Sequence, residues 1–399
     1  MSDYTYLIVG GGMAAAAAAR GIRRVDAVGS IAIVGGEADP PYKRPPLTKD
    51  LWKGADESSI WIKLGKQNVE LNSGRRVTQI DRDARKISDD QGTEYGYGKL
   101  LIATGGTPRR LPFSSEPTIY YRDAADYRRL REIVDQRQRF AVIGGGFIGT
   151  ELAAALALNG KDVTLIFPGH AIGERQYPKG LSQFLNGYYA EHGVTLATGE
   201  SVEGLTETPS GVVVKTGRKD GDPGRELTVD AVVAGIGIQP NTELARAAGL
   251  EVSDGIVVDQ FLRTSDPNIF AAGDVAEYHD AKLDTQRRVE HENNANMMGR
   301  RAGQNMAGDL ATYDDLPFFY SDLFDLGYEA VGELDSRMEM VEDWKEPNRE
   351  GVIYYLRDGK VRGVLLWNVW KQVDAARQLI AESGPFTAQD LIGRLPAKS

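Results

Sequence analysis

Two open α/β domains followed by a smaller α+β domain form the fold class this sequence predicts, and three observations predict it. A glycine run, Gly10-Gly11-Gly12-Met13-Ala14-Ala15, follows the apolar stretch Tyr6-Leu7-Ile8-Val9. A second, Gly144-Gly145-Gly146-Phe147-Ile148-Gly149, follows Phe140-Ala141-Val142-Ile143. From Tyr313 onward, aromatic and β-branched strands alternate with turns such as Asp358-Gly359. Each glycine run breaks a short strand and gives way to an Ala/Leu-rich helix (14–22 and 150–158). In that context backbone N–H groups can approach a pyrophosphate, whose charge then faces a helix N-terminus. Two such matches, a domain's length apart, predict two Rossmann-like dinucleotide-binding domains. A flavin and a nicotinamide are the pair they suggest.

Composition narrows the function. At 399 residues the chain is too long for one ordinary core, and two or three domains are expected. Apolar content of 41% and charged content of 26% are those of a water-soluble globular chain. No stretch approaches the roughly 20 apolar residues of a membrane span. A first strand beginning by Tyr4 leaves no room for a cleaved leader, so the cytoplasm is the expected location. The net charge of −10 argues against nucleic acid or an anionic membrane as a partner, and Arg128-Arg129 reads as a solvated helix face. The chain has no cysteine, which excludes a thiol relay, disulfides and thiolate metal sites. Its four histidines show no ligand spacing, so no metal is expected. Redox chemistry must then rest in bound organic cofactors.

Along the chain, a first βαβ unit is expected as strand 4–9, helix 13–24 and strand 31–34, followed by a polar irregular region. Strand 99–103 ends at Thr104-Gly105-Gly106, and a connector covers about 107–125. The second βαβ begins at Phe140, includes strand 162–167, and closes with strand 231–234 and the turn Gly235-Ile236-Gly237. The chain then returns to the first domain through a buried strand at 268–272, ended by Gly273-Asp274, and a helical pattern at about 289–308. Strands 351–356 and 361–367 and a helix at 369–382 complete the third domain. The expected domains are 1–118 (first part of an FAD-binding domain), 119–240 (NAD(P)H-binding), 241–312 (FAD-binding, second part) and 313–399 (α+β).

In the first fingerprint Gly10, Gly12, Met13, Ala14 and Ala15 are the candidate cofactor contacts. Alanine is allowed at 15 because that position needs only close helix–strand packing. Glu37, just past the second strand, is placed to accept from ribose hydroxyls. In the second fingerprint the candidates are Gly144, Gly146, Phe147, Ile148 and Gly149. Glu151 opens the helix there, either as a carboxylate favoured by the helix N-terminus or as a functional group. The strand end Phe167-Pro168-Gly169-His170 lacks the acid that usually binds the 2′-hydroxyl of NAD, and none follows until Glu174. His170 and Arg175 could tolerate a 2′-phosphate and Glu174 opposes it, so NADPH stays open beside NADH.

The segment Pro41-Tyr42-Lys43-Arg44-Pro45-Pro46-Leu47-Thr48-Lys49 makes the pattern specific. It resembles the Pro-Tyr-x-Arg-Pro-Pro-Leu-Ser-Lys signature of FAD-dependent ferredoxin reductases and the related apoptosis-inducing factors. Similarity to the latter branch continues through Arg288-Val289-Glu290-His291, Gly299-Arg300-Arg301-Ala302-Gly303, Phe319-Tyr320-Ser321-Asp322-Leu323 and Val364-Leu365-Leu366-Trp367-Asn368. The resemblance implies a glutathione reductase-like arrangement. It puts Arg44 on the FAD pyrophosphate, Lys49 near flavin N5 and the Asp274 carboxylate on the ribityl chain. Gly36, Glu37, Val77, Ala103, Thr104, Gly105, Arg122 and Gly273 are implied FAD contacts, with Glu290 and His291 at the flavin edge. Gly237 and Tyr320 are implied on the nicotinamide side, and Lys49 and Glu151 are the implied catalytic pair.

Thr48 departs from the signature's serine, and Tyr320 stands where the animal apoptosis-inducing factor has tryptophan, which keeps stacking available. A mitochondrial leader and a long C-terminal insertion are not expected here, so the resemblance gives a death-signalling role no support. It implies an FAD-dependent NAD(P)H oxidoreductase, NADH favoured, that forms a tight charge-transfer complex and turns over slowly with oxygen. The electron acceptor (a small redox protein, a quinone or oxygen) is not identified. A ferredoxin or rubredoxin reductase is one rival reading. The other is a redox-sensing protein whose homodimerisation follows reduction. The missing cysteines exclude a disulfide reductase.

Overall fold

The computed structural model describes residues 2–113, 118–218, 221 and 224–395. Of the expected connector over 107–125, residues 114–117 lie outside the described residues, as do 396–399 at the end of the expected third domain. The chain divides into two compact units: Met1–Arg44, Glu57–Thr107 and Gln239–Phe318 form the first, and Pro45–Asp56, Pro108–Ile238 and Phe319–Ser399 the second. Among the described residues no helix is long and apolar enough to cross a membrane.

In the first unit, strand β1 (Ser2–Val9), helix α1 (Met13–Val25) and strand β2 (Ile31–Gly35) form the expected βαβ. β1 is central because it is apolar on both faces, and it pairs in parallel with β2 and with Glu94–Ile102. The strand Ile269–Ala271 adds in parallel to Glu94–Ile102, which brings the chain back to this sheet. Ala14 to Ala19 are all buried along α1. Small side chains there let a second helix, Glu292–Met306, approach backbone to backbone. A Cβ at Gly299 would lie 2.3 Å from the Ala14 carbonyl oxygen, and one at Gly303 2.1 Å from that of Ala18.

The region expected to be polar and irregular is partly ordered into sheet. Val69–Ser73 pairs in parallel with β2 at the sheet edge, and Val77–Asp81 and Lys86–Asp89 run antiparallel beside the start of Glu94–Ile102. Val69–Ser73 and Val77–Asp81 are largely exposed and polar, and Lys86–Asp89 is only four residues long, so these strands carry little of the apolar alternation that marks a strand in sequence.

In the second unit, strand β3 (Arg139–Ile143), helix α2 (Phe147–Leu158) and strand β4 (Asp162–Phe167) repeat the plan. The five-stranded parallel sheet runs Val194–Thr198, β4, β3, Ala231–Ala234, Thr118–Tyr120. A three-stranded antiparallel sheet (Glu200–Thr208, Gly211–Arg218, Glu226–Val229) sits between β4 and the closing strand in sequence, and the sequence reading did not include it. The C-terminal region is a five-stranded sheet carrying helix Val373–Ala381. Tyr177, past β4, meets its Tyr328 and Trp367 edge-on at ring distances of 5.8 Å.

Candidate active site

Both glycine turns have the geometry a pyrophosphate requires. Gly10 and Gly144 end their strands at φ +108° and +115°. A Cβ at Gly10 would fall 2.1 Å from the Ala103 carbonyl oxygen, and one at Gly144 2.3 Å from that of Gly235. Only glycine fits either place. Gly12 and Gly146 then cap α1 and α2 with no side-chain hydrogen bond and no acid in the first turn. Open space surrounds the missing Cβ at both caps. Uncapped helix N–H groups beside open space fit a dinucleotide phosphate in each unit.

In the first unit, Glu37 lies past β2 and accepts from the Tyr42 hydroxyl at 2.6 Å and from the Arg44 guanidinium, so the carboxylate holds Arg44 in place. The Arg44 N–H also contacts Met13 Sδ at 3.5 Å. Gly36 is exposed after the strand, and Val77 opens a neighbouring strand, half-buried. Ala103, Thr104 and Gly105 form a turn pinned by Asn241: its side-chain amide donates to the Thr104 carbonyl at 2.9 Å, and its backbone N–H to that of Gly105 at 3.0 Å. Gly273 (φ +79°) precedes Asp274, whose carbonyl accepts from Arg288 Nη1 at 3.0 Å. The same guanidinium nitrogen reaches Glu290 Oε1 at 2.5 Å.

Glu290 and His291 were expected to begin the helix at about 289. The helix instead starts at Glu292, with His291 extended at its N-cap (φ −114°) and Glu290 drawn back to Arg288. Burial pushes His291 down to about 4, with Asp274 opposing and Arg287 reinforcing the shift, so the ring is neutral near pH 7. Between about pH 6.5 and 4 the unfolded chain binds a proton that the folded one refuses. Stability from this residue is therefore fully present above pH 6.5 and is lost as pH falls toward 4. Urea denaturation at pH 4.5 and 7.5 should show the wild type losing roughly 2–3 kcal/mol more than H291Q on acidification. Equal losses would exclude a neutral His291 in the folded chain.

The second unit holds Lys49 and Glu151, which form a buried ion pair: Nζ lies 2.5 Å from Oε1, and the side chains are 7% and 4% exposed. Glu151 was expected to open the helix. α2 begins at Phe147, which places Glu151 in its second turn and inside the protein, so a surface acid at a helix N-terminus is not its role. Glu151 is fully engaged. Thr48 Oγ1 donates to Oε2 and Ser321 Oγ to Oε1, both at 2.5 Å. The ammonium of Lys49 lies 5.5 Å from the Tyr320 ring centroid, in cation–π range. Thr48 keeps the hydroxyl that the signature's serine would supply, so that departure leaves the contact intact. Phe147 packs on Phe319 at 5.4 Å, and Ile148 is exposed. A Cβ on Gly149 would meet the Gly144 carbonyl oxygen at 1.8 Å. Gly237 (φ +89°) accepts from the Arg109 N–H at 2.9 Å, and the backbone N–H of Arg122 donates to Asp126 at 2.8 Å.

Four supporting residues escaped the sequence reading. Asn241 and Arg288 brace the first site, and Thr48 and Ser321 complete the Glu151 carboxylate. Thr48 was legible beside Lys49 in the Pro-rich motif. Ser321 stood beside Tyr320 in a stretch that carries the resemblance, whereas Asn241 carries no local signal.

Two glycine-built helix N-termini without side-chain caps, each following a parallel strand pair of its own unit, are the arrangement that two bound dinucleotides would require. Residues 4–299 match the family model for pyridine nucleotide-disulphide oxidoreductase, and residues 342–382 match the one for apoptosis-inducing factor, mitochondrion-associated, C-term. The chain belongs to the pyridine nucleotide-disulphide oxidoreductase family and is an FAD-dependent pyridine nucleotide oxidoreductase. It is 32% identical to apoptosis-inducing factor 1, mitochondrial, of Dictyostelium discoideum, over 95% of this chain and 79% of that protein. It is also 32% identical to putidaredoxin reductase CamA of Pseudomonas putida, over 95% and 92%. The crystal structure of the covalent putidaredoxin reductase–putidaredoxin complex matches with a TM-score of 0.89 at 31% identity, over 98% of this chain and 95% of that one. The disulphide in the family's name finds no thiol here.

Proposed function

We propose that the chain is an NADH oxidoreductase: NADH binds at the second fingerprint, FAD at the first, and electrons leave to a separate acceptor. FAD, when bound, supplies the hydride-accepting chemistry, and the protein's share is binding, positioning and electrostatics. Gly144, Gly146 and the N-terminus of α2 hold the NADH pyrophosphate, with Gly237 beside them. Gly10, Gly12, Glu37, Arg44 and Asp274 hold FAD. Lys49 and Glu151 serve the transfer step: the carboxylate holds the ammonium in place, and Tyr320 offers an aromatic face. The observation that carries this reading is the buried Lys49–Glu151 pair, whose carboxylate sits on the fingerprint helix itself and accepts from two further hydroxyls. A packed, fully bonded polar cluster of that kind is rigid, as a positioning device must be.

Likeness to putidaredoxin reductase in complex with its partner favours a more specific reading, in which the acceptor is a small iron–sulfur protein. Cytochrome c reduction by NADH, with and without an added [2Fe–2S] ferredoxin, tests it. Acceleration dependent on the ferredoxin supports that acceptor. Equal rates with both, alongside ready reduction of a quinone, would point elsewhere.

A further inference from the structure

The two βαβ units share a register, and that register exposes a substitution between them. The Gly10 N–H donates to the Val34 carbonyl at 2.8 Å, and the Gly144 N–H to that of Ile166 at 2.9 Å. Counting forward from each acceptor, Glu37 in the first unit corresponds to Gly169 in the second. The strand-end position that carries an acid in one unit is therefore empty of side chain in the other.

The space is filled from the loop. Glu174 folds back so that its Oε1 would lie 2.5 Å from a Cβ at Gly169. Its Oε2 accepts from the N–H groups of His170 at 2.8 Å and Ala171 at 3.3 Å. Oε1 accepts no hydrogen bond among the described residues. The loop that presents it is pinned on three sides. Asn186 bonds the His170 carbonyl and the Ile172 N–H, each at 3.0 Å, the Gly199 N–H bonds the Gly169 carbonyl at 2.7 Å, and Ser336 Oγ bonds the Glu174 carbonyl at 2.7 Å.

We infer that Glu174 stands in for the missing strand-end acid and selects NADH over NADPH, its free Oε1 accepting from the adenosine ribose hydroxyls. This rests on the second unit binding a nicotinamide dinucleotide. A carboxylate there accepts from a 2′-hydroxyl and repels a 2′-phosphate. With the carboxylate neutralised, the neighbouring exposed His170 and Arg175 would be left to favour the phosphate.

Isothermal titration of the flavin-loaded protein with NAD+ and NADP+ tests this without relying on turnover. The wild type should prefer NAD+ by about tenfold or more, and E174Q should erase most of that preference. Glutamine keeps an oxygen for the N–H groups of His170 and Ala171, so a purely structural Glu174 predicts an unchanged ratio. Gly169 is not at positive φ and can take a side chain once Glu174 is shortened. The double variant G169E/E174A should therefore regain NAD+ preference, whereas E174A alone should not. An unchanged ratio in E174Q, or no recovery in the double variant, overturns the inference while leaving dinucleotide binding intact. A wild type that binds neither nucleotide removes the dinucleotide reading of this unit as well.

Discussion

Replacing Glu151 with alanine should slow flavin reduction by NADH about a hundredfold while bound FAD falls far less. The reason lies in what the carboxylate holds. It neutralises a lysine that is only 7% exposed, and it is the acceptor for both the Thr48 and the Ser321 hydroxyls. Without it, the ammonium keeps only the Tyr320 ring among the described residues, and a charge left alone in the interior costs about 3–5 kcal/mol of stability. K49A should be milder for folding, because Glu151 retains two hydroxyl donors, yet equally damaging to reduction. Loss of stability and loss of function can be separated. A K49M/E151L double variant removes both charges, so it should recover much of the stability and none of the rate. Stopped-flow reduction at wild-type rates in K49A and E151A would remove these residues from the transfer step.

The two glycine turns give the other large effect, and it should divide cleanly between the cofactors. In G10A the new methyl would overlap the Ala103 carbonyl at a backbone φ of +108°, and FAD content after purification should fall at least about tenfold. In G144A the clash is with the Gly235 carbonyl at φ +115°, in the other unit. That variant should purify yellow and bind NADH at least about tenfold more weakly. Absorbance per chain reads the first effect and NADH titration the second. A G144A protein that loses its flavin but keeps its nicotinamide affinity would reverse the assignment of the two sites.

Both fingerprints were legible because each is local: an apolar run, glycines, then small residues, all within about fifteen positions. The edge strand Val69–Ser73 and the hairpin after it were not, since the edge strand buries no side chain and the hairpin strands, four or five residues long, put only Ile80 and Ile87 into the apolar core. Helix Glu292–Met306 was visible by its pattern, yet its start was placed too early. Polar Glu290 and His291 suit a first turn in sequence, but the Arg288 guanidinium draws Glu290 back toward the preceding strand. Lys49 was found through its motif and Glu151 through its place after a fingerprint, but the Ser321 hydroxyl that bonds Glu151 reaches it only through the folded chain. Glu174 shows the same limit. In sequence Glu174 was the first acid past β4 and opposed a 2′-phosphate, but only the turn of the loop shows its carboxylate returned to Gly169.

The central claim is that one chain carries FAD and takes electrons for it from a nicotinamide bound in a second site. Anaerobic titration with NADH, followed at the flavin absorption band, tests it most directly. A yellow protein with one FAD per chain, whose flavin band bleaches as one equivalent of NADH is added, is the expected result. Protein that is colourless and stays so after reconstitution with FAD, or bound flavin that excess NADH and NADPH leave oxidised, would contradict it.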